Sequence, residues 1–219
     1  MIELDFTVDV SAQYKSLVGS AMGKVLAEPA VSNLLNRLEH YDSGTFFHSL
    51  NVAKYSLCIG ASIGLPEDML YLLTQSSILH DVGKLEIPLK ILTKPTKLSK
   101  TEFETIKEHP VIGAKISKDL GLPDTVVIGI HEHHEKFCGG GYPDNLKHEA
   151  IHTFGRIIAV ADVFDAVLSV RPYHDSCLPT VPIQLLANSN DFDKRFVYAF
   201  FNAIDPYPER VRLIENEEE

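Results

Sequence analysis

Apolar residues recur along this chain at intervals of three and four, while the strict alternation that marks a half-buried strand is scarce. The stretch VSNLLNRLEHY, 31–41, sets Val31, Leu34, Leu35 and Leu38 on one face at helical spacing. A weaker amphipathic segment, 13–27, comes before it, and 45–63 continues the pattern with Leu50, Ala53, Leu57 and Ala61 turned inward. The triplet GLP at 64–66 stops that helix and opens the next, predicted over 66–81. Pro88 and Pro95 mark 84–98 as a loop, and SKTE, Ser99 to Glu102, reads as a capping box for a helix reaching about Glu108. Pro110 suits the first turn of a further helix, and a second GLP at 121–123 leads into a helix over 124–134. CGGGYPDN, 138–145, is a turn-rich loop. A strongly apolar helix at 151–168, an irregular stretch RPYHDSCLPTVP, and helices at about 182–190 and 193–204 complete an all-α chain.

With 219 residues the chain can bury a real core. The pattern divides it into a short N-terminal helical extension (1–30), one large domain (31–205) and a solvated acidic tail (206–219) ending in ENEEE. The formal net charge of -10 argues against a nucleic-acid polymer or an anionic membrane surface as partner, because those contacts are dominated by Lys and Arg. An anionic substrate would need local help from metal ions or a few placed cations. MIELDFTVDV carries acids where a signal peptide would be basic and then apolar, and no stretch approaches the roughly 18 apolar residues of a membrane span. Cys58, Cys138 and Cys177 form no CxxC pair, so a reduced, cytoplasmic setting is the expectation.

The chemistry sits in SSILHDVGKLEIP, Ser76 to Pro88, where an apolar helix runs into adjacent histidine and aspartate. A lone His-Asp pair would simply be solvated, but further candidate ligands follow. His48 lies early in one helix, His80 and Asp81 end the next, His109 lies just before Pro110, and His133 and His134 end another. Asp162 interrupts the apolar RIIAVADVFDAVL, where a buried charge is costly without a partner. Five histidines and two carboxylates suit iron, manganese or zinc better than calcium, which prefers oxygen shells. Seven ligands are too many for one ion with an open position, so two ions sharing a carboxylate are the economical arrangement, and their chemistry is phosphate-ester hydrolysis by a bridging hydroxide. Lys84, three residues past Asp81, is placed to meet a substrate anion. Asp165, three residues after Asp162 on nearly the same helix face, is placed to orient a ligand histidine, and Glu135 reads either way. His40, His131, His148 and His152 fit exposed or capping positions.

HDVGK followed in order by HP, HHE, GYP, ADVFDA and RPY resembles the HD-GYP domain, a branch of the HD superfamily of metal-dependent phosphohydrolases, over about 34–204. The resemblance implies an all-helical domain with two divalent ions, most often iron or else manganese, that hydrolyses the bacterial second messenger cyclic di-GMP to pGpG or GMP. Carried over by motif, it implies that His48, His80, Asp81 and Asp162 hold the first metal and that Asp81 bridges to a second held by His109, His133 and His134. Lys84 would stabilise charge on the scissile phosphate, and Arg171 and His174, from RPYH, would contact the substrate. Gly141, Tyr142 and Pro143 form the signature loop, associated with structure and signalling protein partners. The family's signature loop usually has an aspartate ahead of its glycines, where this chain has Cys138. The glutamate that gives some members a third metal is replaced by Gly44, and His174 stands where many have a basic residue. The 30 N-terminal residues are too few for a receiver or sensor domain. Two rival readings keep the fold: a phosphohydrolase for another cyclic dinucleotide or nucleotide, or a non-catalytic module acting through its GYP loop. Oligomeric state is open, a homodimer included.

Overall fold

The computed structural model describes residues 10–169 and 180–204, which are helical as the periodicity predicts. The helices are α1 (Ala12–Leu26), α2 (Pro29–Tyr41), α3 (Ser43–Ser62), α4 (Glu67–Ile78), α5 (Leu89–Leu92), α6 (Lys100–Ile106), α7 (His109–Asp119), α8 (Asp124–Glu132), α9 (Thr153–Ser169), α10 (Thr180–Asn188) and α11 (Lys194–Ala203). Tight 3-10 turns cover Val82–Glu86 and His148–Ala150. The predicted capping box is formed in full: the Ser99 hydroxyl accepts the Glu102 amide at 3.2 Å and the Glu102 carboxylate accepts the Ser99 amide at 2.7 Å. Asp42 opens α3 in the same spirit, accepting the Gly44 amide and the Thr45 hydroxyl. Arg171, His174 and Cys177, together with the acidic tail from 206 onward, lie outside the described residues.

Two expectations at helix ends need correction. The helix predicted over 66–81 stops at Ile78, and the one predicted over 124–134 stops at Glu132, so His80, Asp81, His133 and His134 stand past the last helical turn. The stretch 84–98, expected as loop, begins inside the 3-10 turn and contains α5. The backbone shows the reason. The Leu79 amide still reaches back four residues to Gln75, but Val82 and Lys84 bond only three residues back, to Leu79 and Asp81, which tightens the chain into 3-10 geometry.

Helix α3 runs through the middle and meets two apolar clusters. On one side Leu50, Ala53, Leu57 and Cys58 pack with α1, α2, α4, α7 and α8; on the other Val52, Tyr55 and Ile59 pack with α9 and α11. The second cluster is held by an edge-on aromatic trio, with Tyr55–Phe164 centroids 5.2 Å, Tyr55–Phe200 5.5 Å and Phe164–Phe200 4.6 Å apart. This trio fixes α9 against α3, and so sets Asp162 and Asp165 opposite His48. On the other side Gly83 lets the turn after α4 meet the start of α7: a Cβ there would lie 2.0 Å from the His109 carbonyl oxygen and 2.6 Å from the Gly113 nitrogen. Both obstacles are backbone and cannot swing aside.

Gly83→Ala is therefore expected to destabilise the protein by about 2 kcal/mol or more, as overpacking against fixed atoms does. Urea unfolding with an unchanged m-value would read it directly, and a midpoint equal to that of the parent would show that α7 does not pack this closely.

Candidate metal centre

The seven candidate ligands come from five stretches far apart in sequence and meet in one buried place. His48 comes from the first turns of α3, His80 and Asp81 from the end of α4, and Asp162 from the middle of α9. His109 opens α7, while His133 and His134 follow α8. Three groups of donor atoms lie within 4.8 Å of one another: His48 with His80 and Asp162; His109 with His133 and His134; and His80 with Asp81 and His133. Asp81 stands between the first two. Its Oδ2 is 3.4 Å from His80 Nε2 and 3.8 Å from His48 Nε2, and its Oδ1 is 3.2 Å from His109 Nε2. One carboxylate oxygen thus faces each triad.

Helix ends prepare the imidazoles. The last carbonyls of a helix lack amide partners, and three histidines use them. His80 Nδ1 lies 2.7 Å from the Ser77 oxygen, His109 Nδ1 2.7 Å from the Ile106 oxygen and His133 Nδ1 2.6 Å from the Ile130 oxygen, each three residues back. A carbonyl only accepts, so each Nδ1 carries the proton and each Nε2 presents a lone pair inward. His48 is held by a carboxylate, with Nδ1 2.7 Å from Asp165 Oδ2, the orienting role expected of Asp165. His134 is held by stacking, its ring tilted 33° against Tyr142 at 4.8 Å.

The donor set fits a divalent cation. His109 Nε2 and His133 Nε2 face one another at 3.2 Å, two lone pairs with no proton between them. His80 Nε2 and Asp81 Oδ1 are buried without a hydrogen-bond partner, an arrangement that is costly unless something positive sits among them. Charge states agree. Burial drives His80 and His133 below the ordinary imidazole value and His134 down to about 4, which leaves all three neutral at pH 7. Burial disfavours ionised Asp81, but the ammonium of Lys84, 2.6 Å from Oδ2, outweighs it and holds the carboxyl below its usual range. Burial likewise disfavours charged His48, yet hydrogen bonds to Asp162 and Asp165 push it up to about 10.

The signature loop closes one side. Tyr142 donates its amide to the His134 carbonyl at 3.2 Å, and a Cβ on Gly141 would lie 2.4 Å from the Lys136 nitrogen and 2.5 Å from Glu135 Cα. Glu135, ambiguous in sequence, is a loop clamp: its buried carboxylate accepts the Asp144 amide at 2.6 Å and the Leu146 amide at 3.0 Å. Lys107 lies over the other reach of the loop, 5.4 Å from the Tyr142 ring centre. Sequence reasoning passed over Lys107, Lys136 and Asp191. No motif marks them: the two lysines lie close to His109 and His134 in sequence, but their contacts with Tyr142 and Asp191 span tens of residues. Pro143 follows Tyr142 through a cis peptide bond. Among the described residues no helix is long and apolar enough to cross a membrane.

The described residues form an all-helical fold that gathers histidine and aspartate side chains able to hold a metal ion. The chain belongs to the HD domain family, whose model matches residues 25–195, and its HDVGK, HHE and GYP motifs place it in the HD-GYP branch. It is 34% identical over 200 residues to a cyclic di-GMP phosphodiesterase of Pseudomonas aeruginosa, a match covering 90% of this chain and 48% of that protein. A 3'3'-cGAMP-specific phosphodiesterase (number 2) of Vibrio cholerae is 39% identical over 148 residues, covering 66% of this chain and 28% of the relative. The chain thus spans about half the length, or less, of these relatives. Among solved structures, an HDGYP protein of Bdellovibrio bacteriovorus has the same fold, with a TM-score of 0.61, 17% identity and coverage of 86% of this chain and 62% of that one.

Against the effect of burial, hydrogen bonds to Asp162 and Asp165 push His48 up to about 10, whereas a histidine can ligate a metal only as the neutral ring, so a metal held by His48 would have to displace its proton. Metal uptake is therefore expected to release a proton, and affinity to weaken as pH falls. Calorimetric titration with Mn(II) in buffers of differing protonation heat measures this; uptake without proton release would show that His48 is already neutral.

Proposed function

We propose that this protein is a metal-dependent phosphodiesterase that hydrolyses cyclic di-GMP to pGpG, GMP or both. The observation that carries the reading is the pair of histidine-containing triads joined by Asp81, with Lys84 held beside that carboxylate. In this reading His48, His80 and Asp162 would hold one ion and His109, His133 and His134 the other, with the Asp81 carboxylate available to both. The nitrogen-rich donor set favours Fe(II) or Mn(II). Bound there, two divalent ions would supply Lewis-acid charge at a phosphoryl group and lower the pKa of a water.

The protein's own groups do the rest. Lys84 keeps a positive charge at the edge of the buried centre: burial disfavours it, Asp81 more than compensates, and its side chain is still 21% exposed toward incoming substrate. A phosphodiester anion entering there meets an ammonium already oriented, which stabilises charge as it grows on the phosphoryl oxygens. Neutral His80, His133 and His134 add no charge that would repel cations, while ionised Asp81 and Asp162 attract them. Tyr142 stacks on His134 and helps to hold that ring in place. The names of the relatives support a cyclic dinucleotide as substrate, and 3'3'-cGAMP is the rival to cyclic di-GMP. A cytoplasmic location accords with such a substrate.

The test is turnover of cyclic di-GMP by anaerobically purified protein loaded with Fe(II) or Mn(II), with metal counted on the same sample. About two ions per chain and hydrolysis are expected, and Asp81→Ala should abolish both tight metal binding and turnover. Two bound ions without turnover of any cyclic dinucleotide would overturn the reading. Lys84→Met should keep the metals but lower kcat by about a hundredfold or more, with KM changed less, as loss of a charge used mainly in the transition state does.

A further inference from the structure

Beside the centre, a cleft of about 360 Å³ runs from His134, Asp162 and Tyr142 toward α10 and the α10–α11 turn. That is the lower end of the roughly 300–1,000 Å³ range of ligand pockets. It suits one base of a dinucleotide rather than the whole molecule. Val163, Leu185 and Phe192 supply apolar wall, and Lys136 and Asp191 supply the charge. Asp191 is fixed: Lys136 Nζ donates to its Oδ2 at 2.9 Å, the Cys138 thiol donates to its Oδ1 at 3.1 Å, and its own backbone oxygen accepts the Phe137 amide. The lysine hydrogen bond keeps the carboxyl ionised, below its usual range. Both side chains remain partly open, 48% for Lys136 and 33% for Asp191.

We propose that this cleft is a guanine-selective subsite in which Asp191 and Lys136 read the base edge. The inference rests on the phosphodiesterase reading and deepens it. Guanine presents a carbonyl oxygen, a ring N–H and an exocyclic amine in a row: one acceptor beside two donors. An ammonium and a carboxylate held side by side present the complement, a donor beside two acceptor oxygens. Adenine offers an amine and a bare ring nitrogen, which leaves one lone pair facing the carboxylate. A site built to hydrogen-bond a group rejects the analogue that lacks it, because its own polar atoms are then desolvated and unpaired. Cys138 fits the same logic. The aspartate that the family usually carries there would set a second negative charge against Asp191, whereas a thiol donates to it. With room for one base, the cleft accepts any cyclic dinucleotide that can turn a guanine inward, so cyclic di-GMP and 3'3'-cGAMP both qualify and cyclic di-AMP does not.

The experiment compares kcat/KM of the metal-loaded full chain on cyclic di-GMP, 3'3'-cGAMP, cyclic di-AMP and the inosine counterpart of cyclic di-GMP, which lacks only the 2-amino group. The first two should be turned over comparably. The inosine compound should fall by about tenfold and cyclic di-AMP by about a hundredfold, the discrimination that a bidentate base contact supplies. In Asp191→Asn, cyclic di-GMP should lose that margin, mainly through KM, while cyclic di-AMP stays where it was, a selective change that a merely structural role would not produce. Lys136→Met, which leaves the carboxylate in place, should erode the same preference should Asp191→Asn fail to fold. Equal turnover of all four compounds by the parent, or an equal loss on all four in Asp191→Asn, overturns the subsite and leaves the phosphodiesterase standing. No turnover of any of them by two-metal protein overturns both.

Discussion

The carbonyls of Ser77, Ile106 and Ile130 do two things at once. Each is an end-of-helix acceptor that the backbone cannot satisfy, and each takes the Nδ1 proton of a histidine three residues on. The helix end is thereby capped and the imidazole is fixed in one tautomer and one orientation, with Nε2 turned to the centre. The partial negative charge of a helix C-terminus adds a field that favours cations there. Everything else in the domain serves to bring these three ends, together with α3 and α9, to one place.

That convergence is possible because the surrounding packing tolerates no slack. The aromatic trio of Tyr55, Phe164 and Phe200 sets α9 against α3, so His48 lies between Asp162 and Asp165. Gly83 brings the turn carrying Asp81 against α7, so the carboxylate reaches His109. The charges buried in this way are balanced locally: Asp81 against Lys84, Asp162 against His48. Neither carboxylate would stay ionised at such depth without its partner.

The signature loop belongs to the same construction. Glu135 is the residue after His134, and its carboxylate ties down the loop whose Tyr142 ring covers that histidine. A change in the loop is therefore felt at His134, and the reverse holds too. Across the cleft, Lys136 and Cys138 link the loop to Asp191, so loop, metal centre and the turn between α10 and α11 form one wall.

Much of this was legible in the amino-acid order. Apolar spacing of three and four identified the helices, because a helix buries one face whatever it packs on; proline and the Ser99–Glu102 capping box marked ends through local hydrogen bonding alone. The chemistry of the candidate ligands was legible for a related reason: imidazoles and carboxylates within apolar runs need a partner. Exact helix ends at Ile78 and Glu132 were not legible, since they depend on a histidine side chain competing with an amide for one carbonyl. Nor were the roles of Lys107 and Asp191, which rest on contacts between segments that local sequence does not relate, or that of Glu135, which depends on how its own loop folds back over it. The sequence by itself determined which groups would be present and near which helices they fall. Only the tertiary structure decided which atoms face one another, because orientation within a few ångströms is set by packing from all sides at once.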